Sequence, residues 1–314
     1  MFTLVLLVLA DWPDAANGQE AQSATTNPTA ASARTAALLA ARHGAAFAVL
    51  AVRRPLDMDE GHALRLPDES VQSVRRAEVE ALLREAMPAG LTADVMHAAG
   101  FVQVETLKAA RLLGPDIIVL GDMDGSARCR RELSDAHAAT ATLIAAAALC
   151  PVLFVPAGAG STDGPFERAM LALDIADDPS QCRALLDFAA RLAAREGASL
   201  GVFHALPDMR DGDMARHVEA ARQRLASLCH GLPGADRFRL AAAELTAEGS
   251  TGIDILQHAT ETDAELMVFG VGPDGGGAVL ASVLAGAGRP VLLVGPATLS
   301  AARRPPQKYT TPHP

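Results

Sequence analysis

The sequence predicts an α/β protein of two tandem domains, each a five-stranded parallel sheet with helices on both faces. Three observations predict it. The chain has 314 residues, and at roughly 100 to 200 residues per domain that is material for two cores. Short, near-continuous Val, Ile and Leu runs alternate with segments whose apolar residues recur at helical spacing, the pattern of strands buried on both faces and joined by crossover helices. The order of these segments occurs twice. Composition agrees with a folded chain: 50% apolar and 20% charged residues exclude a mostly disordered, collagen-like or coiled-coil protein.

The repeat is legible in four matched pairs. VLAD at residues 8–11 pairs with LALD at 171–174, an offset of 163. AARHGAAFAVLAV at 40–52 pairs with AAREGASLGVFHA at 193–205, an offset of 153. DIIVLG at 116–121 pairs with ELMVFG at 265–270 (offset 149), and PVLFVP at 151–156 with PVLLVG at 290–295 (offset 139). The falling offset means that the first copy carries extra residues in three places between apolar blocks, where loops are expected. One is a small, polar, Pro-containing stretch at 17–31, read as a mobile loop; another lies between Gly121 and Pro151.

In copy two, residues 169–173 read as the first strand, and Cys182, Leu185, Leu186, Ala189, Leu192 and Ala193 mark one face of the next helix, which Gly197 stops. A strand at 200–205 and a helix at 214–228 follow, the latter with Val218, Ala221, Leu225 and Leu228 on one stripe. Then come a strand at 238–243, a helix at 253–260, a strand at 266–269, a helix at 277–287 and a strand at 291–294. Copy one repeats the order, with 75–87 as its second helix and 103–113 as its third. The expected domains are 1–158 and 165–297, followed by a tail at 298–314 read as disordered, because its last twelve residues carry four Pro and no apolar period.

Several function classes are disfavoured. A net charge of −10 and 4% aromatic residues offer neither the field nor the stacking platforms that nucleic acid needs. Cys129, Cys150, Cys182 and Cys229 have no C-x-x-C or finger spacing, so no metal site or disulfide scaffold is expected and a reducing cytoplasm is the default. The apolar stretch at 2–10 lacks preceding basic residues and is too short to span a bilayer, so it reads as a buried first strand; the Ala-rich 136–149 is likewise no membrane span. No nucleophile elbow, H-E-x-x-H or paired-carboxylate pattern is present, which points away from an enzyme. His43, His217 and His258 read as structural residues at a helix end or on polar helix positions, and His204 as a core or surface-satisfied histidine on a strand beside the expected crevice. Cys150 and Cys182 read as small buried hydrophobes. Cys129, flanked by Arg128 and Arg130, has neighbours that favour its thiolate, so redox sensing is an expectation there.

An Asp closing the first strand, a Gly-rich turn after the fourth and a Pro-Val-hydrophobic fifth strand, all occurring twice, resemble the universal stress protein family over nearly the whole chain. The resemblance implies a Rossmann-like sheet of the adenine nucleotide alpha hydrolase-like type, with the two copies paired through their fifth strands as an internal pseudo-dimer. Apolar edge strands at 152–155 and 291–294 need such cover. Homodimerisation and an unidentified protein partner are further options; nucleic acid and membrane are not.

The resemblance also implies an ATP crevice at the carboxyl ends of the strands, with an Asp on the adenine and a G-x2-G-x9-G-(S/T) loop on the phosphates. Asp11 and Asp174 occupy the Asp position, where an ordinary turn or cap residue is an equal reading. In copy two, Gly270, Gly272, Gly275, Gly276 and Gly277 form the loop, but Gly277-Ala278 closes it after six intervening residues instead of twelve. That loop has room for a smaller anion or one AMP phosphate and lacks the hydroxyl. In copy one the spacing from Gly121 to Ser134 is kept, with Gly125 between. However, Asp124 and Ser134 replace two glycines, and Asp122, Asp124 and Asp135 repel phosphate; Arg128, Arg130 and Arg131 read as a solvated basic loop.

Two functions follow. One is a non-enzymatic stress-response module with weakened or absent ATP binding. The other is a genuine ATP- or AMP-binding protein, or slow ATPase, using Asp174 and the 270–277 loop. A related flavoprotein-subunit or ATP-pyrophosphatase fold is a third option, the latter opposed by the absence of an S-G-G-x-D-S loop. No metal is expected, and no cofactor beyond ATP or AMP.

Overall fold

Along the first strand, Val5, Leu7 and Leu9 face one layer of the protein and Leu6, Val8 and Ala10 the other, and all six are buried. A period of two with both faces apolar is what a central strand between two helical layers requires. The computed structural model describes residues 2–10, 28–53, 69–121, 130–156, 159, 166–175, 178–206, 214–232, 238–244 and 251–302.

The first half runs β1 (Leu4–Ala10), α1 (Pro28–His43), β2 (Ala46–Arg53), α2 (Glu69–Ala86), β3 (Asp94–Ala99), α3 (Val102–Leu113), β4 (Ile117–Gly121), α4 (Arg130–Ala147) and β5 (Val152–Val155). The second half runs β6 (Arg168–Ala172), α5 (Pro179–Glu196), β7 (Ser199–Leu206), α6 (Met214–Cys229), β8 (Arg239–Glu244), α7 (Thr251–Glu261), β9 (Leu266–Gly270), α8 (Gly277–Gly286) and β10 (Val291–Val294), followed by α9 (Pro296–Ala302). All strands form one sheet in the order β3-β2-β1-β4-β5-β10-β9-β6-β7-β8. Within each half every pairing is parallel, and each first strand lies between the second and the fourth.

The halves join where β5 and β10 run antiparallel, with Leu153 opposite Leu292, Val152 opposite Leu293 and Phe154 opposite Val291. Leu153 and Leu292 are equivalent positions of the repeat, so a pseudo-twofold passes between them, as at a self-complementary dimer interface. Neither strand is left as an apolar edge. A second matched pair supports the same symmetry. Asp116 Oδ2 accepts from the amides of Thr3 and Leu4, and Glu265 Oε2 from those of Glu167 and Arg168, so each half ties the entrance of its first strand with the carboxylate before its fourth. One helical layer, α1, α2, α5 and α6, packs on one face; α3, α4, α7 and α8 pack on the other, and each apolar cluster runs across both halves.

Several expectations need correction. The loop read at 17–31 ends early, because α1 begins at Pro28. Residues 17–27 lie outside the described residues. The tail expected from 298 begins instead as α9: Thr298 is buried and its hydroxyl donates to the Ala148 carbonyl, so apolar packing against the end of α4 overrides the Pro-rich context. The rest of that tail, 303–314, is outside the described residues. The excess between Gly121 and Pro151 is largely helix and not loop, since α4 has 18 residues and its counterpart α8 has 10. The second helix of copy one starts at Glu69, earlier than its apolar period suggested. Cys150 and Cys182 are buried as expected, and burial pushes the Cys150 thiol up to about 12. Cys129 lies outside the described residues.

Candidate functional site

A cavity of about 290 Å³ opens at the carboxyl ends of β6, β7, β9 and β10. It lies at the point where the chain leaves β6 for β7 on one side while β9 sits on the other, the crevice in which open α/β sheets hold ligands. Leu185, Phe203, Ile255, Phe269 and Leu280 give it apolar walls, and Asp174, Gln181, His204 and Thr251 supply polar groups. The stacked ring of His258, 4.2 Å from that of Phe203 and tilted 19°, backs one wall. His258 is therefore half-buried, and not on the purely polar position that its helix pattern suggested; burial holds its imidazole below the ordinary value, with Glu261 pulling the other way.

Asp174 follows β6 directly. Sequence alone left it between a cap and a ligand group, and the structure gives the cap to another residue: Asp178 Oδ1 accepts from Ser180 N at 2.8 Å, with Pro179 opening α5. The Asp174 carbonyl takes the Cys182 thiol at 3.2 Å, so this thiol is engaged in holding the turn. Asp174 lines the cavity and is exposed. His204 is buried on β7, with Nδ1 3.0 Å from the Leu173 carbonyl. A carbonyl can only accept, so Nδ1 carries a proton. His204 is thus both of the things that its strand position allowed: a satisfied buried histidine and a wall of the crevice.

The Gly-rich loop is a tight turn. Gly275 N donates to Gly272 O at 3.2 Å, the two residues form an antiparallel bridge, and Val271 N donates to Val294 O at 2.9 Å. Gly275 and Gly277 have φ of 96° and 62°, which L side chains rarely adopt. A Cβ on Gly276 would stand 2.1 Å from Leu280 Cδ2. The glycines are accordingly required by the turn and by packing, whatever the loop binds. Two amides of a loop that is already short are spent on the protein itself. Gly270, Gly272 and Gly276 line the cavity; Gly275 and Gly277 shape the turn behind it. Gly276 precedes α8 without any side-chain cap, so the first turn of α8 opens beside the cavity.

Electrostatics limit what this crevice can hold. Among the described residues no Lys or Arg lines it, while Asp174 does. A triphosphate would bring several negative charges to a wall that is neutral or acidic, with no guanidinium or ammonium among the described lining residues to receive them. A neutral nucleoside-like ring, or a group with one phosphate near α8, suits the walls better. No cluster of His, Cys, Asp or Glu among the described residues is fit to hold a metal ion.

The structure brings Asp174 and the 270–277 loop together at the cavity; of the copy-one candidates, only Gly121 is fully described. Gly121 is buried at the end of β4. Asp11 and Gly125 lie outside the described residues, as do Asp122, Asp124 and Arg128; Ser134 falls within α4, with its side chain undescribed. Gln181, Thr251, Pro296 and Leu299 were not anticipated. The first two stand on helices at a remove from the strand ends that sequence does not fix; the last two sit on α9, whose residues from 298 on sequence had assigned to the tail.

Residues 165–295 match the sequence profile of the universal stress protein family. Similar solved structures include a universal stress protein from Archaeoglobus fulgidus DSM 4304, at 16% identity and a TM-score of 0.55, covering 92% of this chain and 96% of that one. A putative universal stress protein from Pseudomonas aeruginosa UCBPP-PA14 is 18% identical with a TM-score of 0.56, covering 96% of both chains. These likenesses are of fold. Comparison with curated protein sequences gives no match. No helix among the described residues is long and apolar enough to cross a membrane.

Proposed function

Because residues 165–295 match the sequence profile of the universal stress protein family, we propose that the chain is a tandem, two-domain stress-response protein of the cytoplasm that works by binding and not by catalysis. The first half is read as the second copy of the domain. Its support is the repeated strand order, the Leu153–Leu292 dyad and the matched carboxylates Asp116 and Glu265. The crevice of the second half is read as one that has lost much of its hold on ATP. The single observation that carries this is its lining: an acidic residue, a self-bonded glycine turn and no basic side chain among the described residues.

A second reading is favoured by one feature, the position of Asp174 beside the uncapped first turn of α8 at the switch point. On that reading the crevice is a true adenine-nucleotide site. Calorimetry of the full chain with adenosine, AMP, ADP and ATP, each with magnesium, separates the two. The first reading expects ATP to bind more weakly than AMP or adenosine, or not at all. ATP binding tighter than AMP, or ATP co-purifying with the protein, overturns it. No heat with any of the four removes the second reading.

A further inference from the structure

The two helical layers present different surfaces to solvent. On one, α2 exposes Arg76, Glu80, Arg84 and Glu85, and α6 exposes Arg216, Glu219, Arg222 and Arg224, the charged outer side that a solvated helix shows. On the other, the helices stand in the order α3-α4-α8-α7, each packed on the next. Every large hydrophobic residue that stands exposed among the described residues belongs to this second layer. Phe101, Val104 and Leu112 lie on or just before α3, and Leu143 and Leu149 on or just after α4. Ile253 is on α7 and Val279 on α8.

The middle of this layer exposes no charge among the described residues. α4 turns Ala139, Leu143 and Ala147 outward at a spacing of four, a stripe along its outer side. α8 exposes Ala278, Val279, Ala285 and Gly286, and none of its residues is charged. A helix apolar all round belongs in an interior, and the outer side of α8 is open. Charge returns at the two edges, with opposite sign. α3 is net positive and exposes Lys108 and Arg111; α7 is net negative and exposes Glu261.

A surface that is basic along one edge, apolar in the middle and acidic along the other is complementary to itself turned over about a twofold parallel to the helices. α3 then lies over α7 of the second copy, and α4 over its α8. Turned over about an axis across the helices, α3 would meet its own copy and like charges would face. The extent also suits such a pairing. Four helices about 8 to 10 Å apart, with a rise of about 1.5 Å per residue, make a face of roughly 35 by 20 Å. That is about 700 Å², close to the roughly 800 Å² that each partner gives to a stable interface, and an apolar patch of this size marks an interaction site.

We infer that the α3-α4-α8-α7 face is where a second copy of this chain binds, as an isologous dimer with α4 and α8 at its centre and the α3 and α7 charges at its rim. In that dimer α8 becomes the interior helix that its composition describes. The inference is independent of what the crevice of the second half holds.

Sedimentation of the full chain between about 1 and 100 µM tests it. A species of twice the chain mass is expected. Leu143→Arg puts a charge at the centre without touching the core, and is expected to weaken the dimer at least about a hundredfold while leaving the urea midpoint of the chain nearly unchanged. Should that variant not fold, Ala139→Arg on the same stripe reads the same effect. Lys108→Glu with Arg111→Glu makes both edges acidic and is expected to weaken the dimer about tenfold at low salt; adding Glu261→Lys should restore part of the loss. A chain that stays monomeric at 100 µM overturns the inference, including one that instead floats with lipid vesicles or is held by another protein. So does a dimer undiminished in a folded Leu143→Arg or Ala139→Arg variant, or one indifferent to the reversal of the α3 edge.

Discussion

The two halves share a strand order but not a surface, and the differences gather where they touch. Position 43 of the first half and position 196 of the second are equivalents in the repeat, and they meet across the pseudo-twofold as histidine against glutamate. In a dimer of identical chains a residue near the axis faces its own copy, so an acid there faces an acid. Within one polypeptide that constraint does not apply, and these two positions form an asymmetric pair. The helices before the fifth strands diverge similarly. α4 has 18 residues to the 10 of α8, and it lies against the second half closely enough that a Cβ on Gly295 would stand 1.9 Å from the Ala145 carbonyl oxygen. At the equivalent position of the first half, Pro156 is buried with its ring in place. Unequal helices thus make one half lean on the other.

That asymmetry is open to direct attack. The largest effect is expected at Gly295. Gly295→Val drives a side chain into helix backbone that cannot move alone, and should cost about 3 kcal/mol or more in urea unfolding; Pro156→Gly, at the matched position, should cost only about 1 kcal/mol, chiefly through the unfolded chain. Equal losses would mean that the close approach of α4 is not what distinguishes the halves.

Next in size is Leu299 of α9, which lines the crevice and also a second cavity between the halves. It is only half-buried, so Leu299→Ala should lower stability by about 1 to 2 kcal/mol in urea unfolding. No measurable loss would show that α9 adds nothing to the packing of the two halves.

The smallest effect is a pH dependence to which both halves contribute. His43 and His97 in the first half and His258 in the second all titrate below the ordinary 6.5, with burial the first cause. The unfolded chain therefore takes up protons near pH 6.5 while the folded one still resists, and stability is complete above that pH and falls as the pH drops toward the lowered folded values. Urea midpoints at pH 7.5 and 5.5 read this loss. Glu196→Gln removes the chief influence raising His43, so the His43 resonance should titrate lower still while His258 stays put. A shift of both, or an upward shift of His43, would contradict the pairing across the axis.

The strands were largely legible because a chain segment buried on both faces has nowhere to hide its apolar run. Residues 291–294 needed no revision, and 266–269 only one residue more. The site was legible in part. Asp174 and Gly270 mark strand ends, so their place at the crevice follows from topology; whether Asp174 caps α5 did not, because Asp178 lies four residues on and either acid has the right chemistry. The glycines of 272–277 read as a phosphate cradle, yet their turn geometry and the contact with Leu280 are reasons that sequence spacing does not reveal. α9 was missed because its seven residues are held by the end of α4 and not by their own helical pattern.

By itself the sequence determined the duplicated α/β order, since hydrophobic period and Gly or Pro punctuation are local properties that each segment carries with it. Only the tertiary structure decided that a histidine faces a glutamate on the axis, that α4 bears on Gly295, and that a cavity remains between Leu153 and Leu292. These depend on distances between residues far apart in the chain, which are set by how two packed layers meet and not by any run of neighbouring side chains.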